Sequence, residues 1–166
     1  MSSHTKRALY AGTFDPVTLG HMDLIQRGVD LFGGLVVAVA GNRNKQPAFS
    51  VKERMAMLQA EVQGLPVEVV ELQGLVVEFA RQRDIQVLFR GVRTVTDFEY
   101  EYPMAMTNRQ LAAEVESVFV MPNERFAYLS SSLIKEVYAA GGELPKLLPD
   151  AVHRALIERL CPNVKS

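Results

Sequence analysis

Tyr10-Ala11-Gly12-Thr13-Phe14-Asp15-Pro16-Val17-Thr18-Leu19-Gly20-His21 decides how this chain is read. The stretch follows a short apolar run, Ala8 to Ala11. It precedes residues 22–32, whose apolar members at 22, 24, 25, 29 and 32 roughly follow helical spacing. The pattern predicts a strand, a tight turn and a helix. Gly12 lets the backbone turn and another group approach closely, Asp15-Pro16 is a turn dipeptide, and Thr18 is the expected N-cap. His21 then falls in the first helical turn, where free N–H groups and the positive end of the helix dipole favour an anion and an imidazole can donate one more hydrogen bond. That is a phosphate site in outline. Many α/β proteins share a strand, a glycine turn and a helix start without binding any nucleotide, and a lone histidine there reads as a solvated helix-start residue. The full string is far more specific.

At 166 residues, with 48% hydrophobic content, the chain fits one globular domain spanning 1–166 that can bury a real core. Residues 1–6 are expected to be disordered and 145–166 to form a C-terminal helical segment. A formal net charge of −1 supplies no broad basic field, so neither nucleic acid nor an anionic membrane surface is expected as a partner. The single cysteine, Cys161, makes neither an internal disulfide nor a cysteine-rich metal site, which suits a reducing compartment. No apolar run reaches membrane length, and residues 1–7 lack the apolar core of a signal peptide. A cytoplasmic location is expected.

Further along, strand and helix patterns alternate. Leu35 to Ala40 is a continuous apolar run that fits a strand buried on both faces. A polar loop, 42–48, leads to Ser50 and Glu53 at capping-box spacing and a helix to Val62 that Gly64 can end. Val67 to Leu72 reads as a third strand, Leu75 to Arg83 as a short helix, and Ile85 to Phe89 as a fourth strand running into Arg90-Gly91-Val92-Arg93. Residues 98–113 are helical in pattern, with a kink or restart expected at Pro103. Val118 to Met121 is a fifth strand; Ser130-Ser131-Ser132 opens a helix ending at Gly141-Gly142; Ala151 to Leu160 is a last amphipathic helix.

Five strands separated by helices predict a doubly wound α/β domain, a parallel sheet in order 3-2-1-4-5 with helices on both faces. Ligands bind such sheets where the winding reverses, outside the carboxyl ends of strands 1 and 4. Those ends carry Gly12 to Pro16 and Arg90 to Arg93. The two arginines are expected on one tight turn, where guanidinium groups can hold phosphate oxygens by paired hydrogen bonds. Lys45, after strand 2, can reach the same crevice or be a solvated loop lysine. The three serines offer a cap, free N–H groups and hydroxyls, more than capping requires. Physics alone assigns Phe98 to Tyr102 no role.

Gly12 to Pro16 followed by Thr18 to His21 resembles the first signature of nucleotidyltransferases that carry an (H/T)xGH motif. Together with Arg-Gly-x-Arg and Asp-Phe-Glu-Tyr-Glu at 90–101, Glu-Ser-Val-Phe-x-Met-Pro at 116–122 and Ser-Ser-Ser-Leu-Ile-Lys-Glu at 130–136, the chain resembles the phosphopantetheine adenylyltransferase family from about Arg7 to Leu160. The resemblance implies AMP transfer from ATP to 4′-phosphopantetheine in coenzyme A synthesis. It implies catalytic roles for His21 and Thr13, and ATP contacts from Thr13, Phe14, His21, Gly91, Val92, Arg93, Glu101, Phe126, Ala127, Tyr128, Leu129, Ser130, Ser131 and Ser132. Thr13, Lys45, Val76 and Arg90 would contact phosphopantetheine. Magnesium bound with ATP and a homohexamer are implied too, with no protein metal ligand assigned. Ala11 stands where the family has proline, and Pro103 where members continue the helix. Two rivals fit the same residues: an enzyme of the superfamily with another phosphate acceptor, and a nucleotide sensor without catalysis.

Overall fold

Apolar runs buried on both faces need helices on both sides of a sheet, and right-handed crossovers supply them. The computed structural model describes residues 7–41 and 47–161; Lys45 and the residues expected to be disordered, 1–6, lie outside these. Five strands, β1 (Ala8–Gly12), β2 (Leu35–Ala40), β3 (Val67–Leu72), β4 (Val87–Gly91) and β5 (Glu116–Val120), pair in parallel in the order β3-β2-β1-β4-β5. The crossovers carry α1 (Leu19–Phe32), α2 (Val51–Glu61), α3 (Val76–Gln82) and α4 (Val95–Leu111); α5 (Ser131–Ala139) and α6 (Asp150–Leu160) follow β5.

The two-residue period of the strands divides the core. Ala8, Tyr10, Val37 and Phe89 pack with α1, α2, α5 and α6, whereas Leu9, Ala11, Val36, Ala38 and Leu88 face α3 and the end of α4. α1 lies so close to β4 that a Cβ on Gly91 would stand 2.3 Å from Leu24 Cδ1, and a Cβ on Gly12 would meet the Phe14 ring at 3.1 Å. α6 fixes α5 in turn: the buried Tyr138 hydroxyl accepts from Leu144 N–H at 3.1 Å and shares a hydrogen bond with His153 Nδ1 at 2.6 Å.

Several expected boundaries move, each for a local reason. Ile85 does not begin β4: its N–H closes the end of α3 on Ala80 O at 2.9 Å and its side chain is buried there. β4 therefore runs to Gly91, and Arg90 sits inside the strand rather than on a turn. β5 starts at Glu116 and ends before Met121, whose side chain is exposed. α4 starts at Val95 because Thr94 caps it by accepting from Asp97 N–H, and it continues through Pro103 without a restart. Proline removes the hydrogen bond to the carbonyl four residues back, at Glu99, and both residues lie on the exposed face where water can replace it.

Arg54 is the largest fully buried side chain, 1% exposed, on the inner face of α2 one turn before Leu58. It donates to Phe49 O at 3.0 Å, to Ala40 O at 2.9 Å and to Thr13 O, tying the ends of β1 and β2 to the start of α2. Burial holds its pKa below the ordinary arginine value, with Asp15 opposing that shift. Removing the guanidinium leaves three carbonyls without their donor. Arg54→Met is expected to destabilise the protein by about 3–5 kcal/mol, read by urea denaturation; a loss below about 1 kcal/mol would show that water replaces the three bonds.

Candidate functional site

The site grows from a gap in the sheet. β1 and β2 register over five residue pairs, but β1 and β4 register at Leu9 and Leu88 and then diverge. Beyond that pair, Ala11 O accepts from Arg90 Nη1 at 2.7 Å. The same guanidinium grips Glu101 of α4 with both edges of its fork, Nε at 2.8 Å and Nη2 at 2.5 Å. Arg93 repeats the device one turn along. It donates to Asp97 through Nε at 2.9 Å and Nη2 at 3.1 Å, and to the carbonyl of Leu129 on the opposite wall. The two arginines thus frame the opening from β4 and the segment after it.

His21 closes the other side. Thr18 Oγ1 accepts from His21 N–H at 3.2 Å while His21 Nδ1 accepts from Thr18 N–H at 3.0 Å, a capping box with histidine in the usual Glu/Gln place. A backbone N–H can only donate, so Nδ1 is the acceptor and the ring proton belongs on Nε2. Burial, reinforced by the positive charge of Arg93, lowers the His21 pKa to about 4. At neutral pH the ring is uncharged and offers one N–H donor. It packs edge-on against Phe14, centroids 5.0 Å apart, so it is not the freely solvated histidine that a helix start alone would suggest. Phe14 itself is buried at φ 48°, a left-handed backbone held by its packing on Tyr10 and His21.

Two cavities meet at this point. One, of about 440 Å³, is lined by Thr18, Gly20, Arg93, Phe126, Leu129 and Ser130 to Ser132. The other, of about 530 Å³ and more apolar, is lined by Phe14, Leu72, Val76, Arg90, Met104, Asn108 and Phe119. Tyr10, Thr13, His21, Gly91, Tyr100 and Glu101 line both. The structure therefore gathers most of the residues named from the sequence, with Phe14 on the second cavity. Val92 instead lies on an outer apolar shelf with Phe98 and Met121. Ala127 and Tyr128 border neither cavity, and Tyr128 is exposed. Of the serines, Ser130 Oγ accepts from Leu133 N–H as the cap, and Ser131 Oγ donates to Pro16 O at 2.8 Å. The second serine thus joins α5 to the first loop.

The sequence marked Asp15 as a turn residue and Lys135 as part of the serine string, and assigned neither a site role. The Asp15 carboxylate, 5% exposed, accepts from Ala48 N–H and Phe49 N–H at 3.0 and 2.9 Å and from Lys135 Nζ at 2.7 Å. The three carboxylates beside the cavities, Asp15, Asp97 and Glu101, are thus each paired with a cation. Among the described residues no group of three or more His, Cys, Asp or Glu is placed to hold a metal ion, and no helix is long and apolar enough to cross a membrane.

A cleft at the switch point of a 3-2-1-4-5 sheet, with a histidine on the first turn of α1, lies where doubly wound sheets bind their ligands. The Cytidylyltransferase-like family model matches residues 9–137, and the chain belongs to that family. Among solved structures it is similar to the lipopolysaccharide core biosynthesis protein from Thermoplasma volcanium GSS1, at 21% identity and a TM-score of 0.53 over 70% of this chain and 95% of the other. That likeness bears on the fold.

The depressed His21 pKa has a measurable sign. The native ring binds its proton near pH 4 and the unfolded one near 6.5, so stability from the neutral ring is complete above pH 6.5 and is lost as pH falls from 6.5 through 4. In the free protein the His21 imidazole resonances should titrate with a midpoint near 4 and Nε2 protonated at pH 7; a midpoint above 6 would contradict the burial argument.

Proposed function

We propose that the protein transfers the adenylyl group of ATP to 4′-phosphopantetheine, giving 3′-dephospho-coenzyme A and pyrophosphate, in the cytoplasm. The observation that carries this reading is the seam where two unlike cavities share Thr13 and His21. The cavity with Arg93 and the serine helix start suits a nucleotide triphosphate. The longer apolar one, with Arg90 and Asn108, suits an amide-linked arm ending in phosphate. This division supports the assignments implied for Arg90, Val76, Arg93, Leu129 and Ser132. An acceptor of another shape would have little use for so apolar a second cavity, and a sensor would need no second cavity.

The acceptor phosphate oxygen attacks the α-phosphorus of ATP, the bond from that phosphorus to its bridging oxygen breaks, and pyrophosphate leaves. The nucleophile is already an anion, so no general base is required. The chain lines up the reactants and stabilises charge on the five-coordinate phosphorus. His21 Nε2–H donates to a non-bridging α-phosphate oxygen, and Thr13 donates beside it. A neutral imidazole performs this without losing a proton to solvent over the physiological range. Magnesium, brought with ATP, neutralises phosphate charge when bound. With Asp15, Asp97 and Glu101 already paired with cations, phosphate oxygens and water would supply most of its ligands.

His21→Asn separates chemistry from folding, because its side-chain oxygen can still accept from Thr18 N–H while the Nε2 donor is lost. Pyrophosphate release from ATP should require 4′-phosphopantetheine in the wild type, and in the variant kcat should fall by roughly 10²–10³-fold, about 3–4 kcal/mol, with ATP affinity by calorimetry nearly unchanged. Equal losses in binding and turnover, or release driven by a different phosphate acceptor, would defeat this reading.

Assembly as a homohexamer belongs to the same proposal. α4 presents Val95, Phe98, Tyr102 and Met106 outward along one face; the Phe98 ring packs edge-on against Phe119 of the edge strand, centroids 5.7 Å apart, and Met121 lies beside them, 72% exposed. A continuous apolar face of this kind is covered in a stable protein. Sedimentation equilibrium at micromolar concentration should return six copies; a monomer would refute the assembly.

A further inference from the structure

Tyr10 is 7% exposed, and its ring is fixed by edge-on packing against Phe14 and Phe89, with centroids 5.2 and 5.4 Å away. Its hydroxyl makes no hydrogen bond to another described residue. Yet no fully enclosed side-chain oxygen or nitrogen among the described residues lacks a partner. The phenol oxygen therefore keeps an open side, and the open space beside Tyr10 is the seam between the two cavities. A phenol oxygen open to a cavity hydrogen-bonds water until a ligand displaces it, so the Tyr10 hydroxyl is free to donate to whatever group occupies the seam.

We propose that the Tyr10 hydroxyl is a third donor at the reaction centre, hydrogen-bonded to a phosphate oxygen held at the seam alongside Thr13 and His21. This rests on the phosphoryl-transfer reading above. The geometry favours a phosphate over a neutral group, because Arg90 and Arg93 stand on the β4 side of the same space. Burial also drives the Tyr10 pKa well above the ordinary phenol value, against the opposing pull of Arg90 and Arg93, so the hydroxyl stays protonated as a donor. The phenol forms and breaks no covalent bond; it orients the phosphate and takes up part of its developing charge.

Tyr10→Phe removes the oxygen alone and keeps the ring packing. The test reads three quantities: kcat for pyrophosphate release with ATP and 4′-phosphopantetheine, thermal midpoint, and the 13Cζ resonance of Tyr10 in labelled wild-type protein, assigned by its absence from the variant. A roughly tenfold lower kcat, an unchanged or higher thermal midpoint, and movement of the Cζ resonance on adding magnesium-ATP and then acceptor are expected. Wild-type kcat in the variant, a fall in kcat accompanied by a lowered thermal midpoint, or a resonance that stays still on saturation with both ligands overturns the proposal. If the wild type releases no pyrophosphate, the functional reading has failed, and the resonance during ATP titration alone decides whether Tyr10 meets the phosphate.

Discussion

Backbone carbonyls at the carboxyl ends of the central strands must be satisfied where the sheet opens, and the chain does this with guanidinium groups. A parallel ladder that stops leaves acceptors stranded in a low-dielectric interior, where each costs about as much as a lost hydrogen bond. Arg90 takes Ala11, Arg54 takes Thr13, Ala40 and Phe49, and Arg93 takes Leu129 across the opening. These donors satisfy carbonyls that line or adjoin the opening between β1 and β4. Arg90 and Arg93 also line the cavities, so their charge biases the cleft toward anions. A chain whose formal net charge is −1 thereby concentrates cations at one site.

Local neutralisation keeps this arrangement tolerable. A buried guanidinium unaccompanied by a carboxylate would be costly, and Glu101, Asp97 and Asp15 lie within reach of Arg90, Arg93 and Lys135. The paired cations retain outer N–H groups toward the cavities, while His21 adds a donor with no charge at all. Its own hydrogen bond to Thr18 N–H fixes the tautomer and starts α1 at the same time. One contact serves helix initiation and donor orientation together, so a substitution that disturbs the cap also misaligns the donor.

What the sequence made legible follows from what is local. Leu35–Ala40 and Val67–Leu72 read as strands because their side-chain patterns are continuous, and the caps at Thr18 and Ser50 read correctly because cap and partner are three residues apart. The strand order followed from the common order of doubly wound sheets, and the crevice from the strand order. Misreadings arose where one residue served two elements. Ile85 looked like the start of β4 but closes α3, so the arginines were expected on a turn that Arg90 does not occupy. Pro103 suggested a break that solvent makes unnecessary. The pairing of Asp15 with Lys135 and with the Ala48 and Phe49 N–H groups went unread because these partners are 33 to 120 residues away. Arg54 did leave a trace: a charged residue at the buried spacing of Leu58 and Val62 signals a buried network rather than a solvated helix.

The double grip on each arginine has a thermodynamic corollary. A free arginine side chain carries on the order of 2 kcal/mol of rotamer entropy, which a ligand must ordinarily surrender on its behalf. Here Arg90 and Arg93 are already pinned at both edges, to α4 on one side and to a backbone carbonyl on the other. That ordering cost was met when the chain folded. Ligand contacts with the remaining N–H groups therefore begin from a nearly rigid frame, and α4 behaves as a fixed jaw whose grip is set in advance of any encounter.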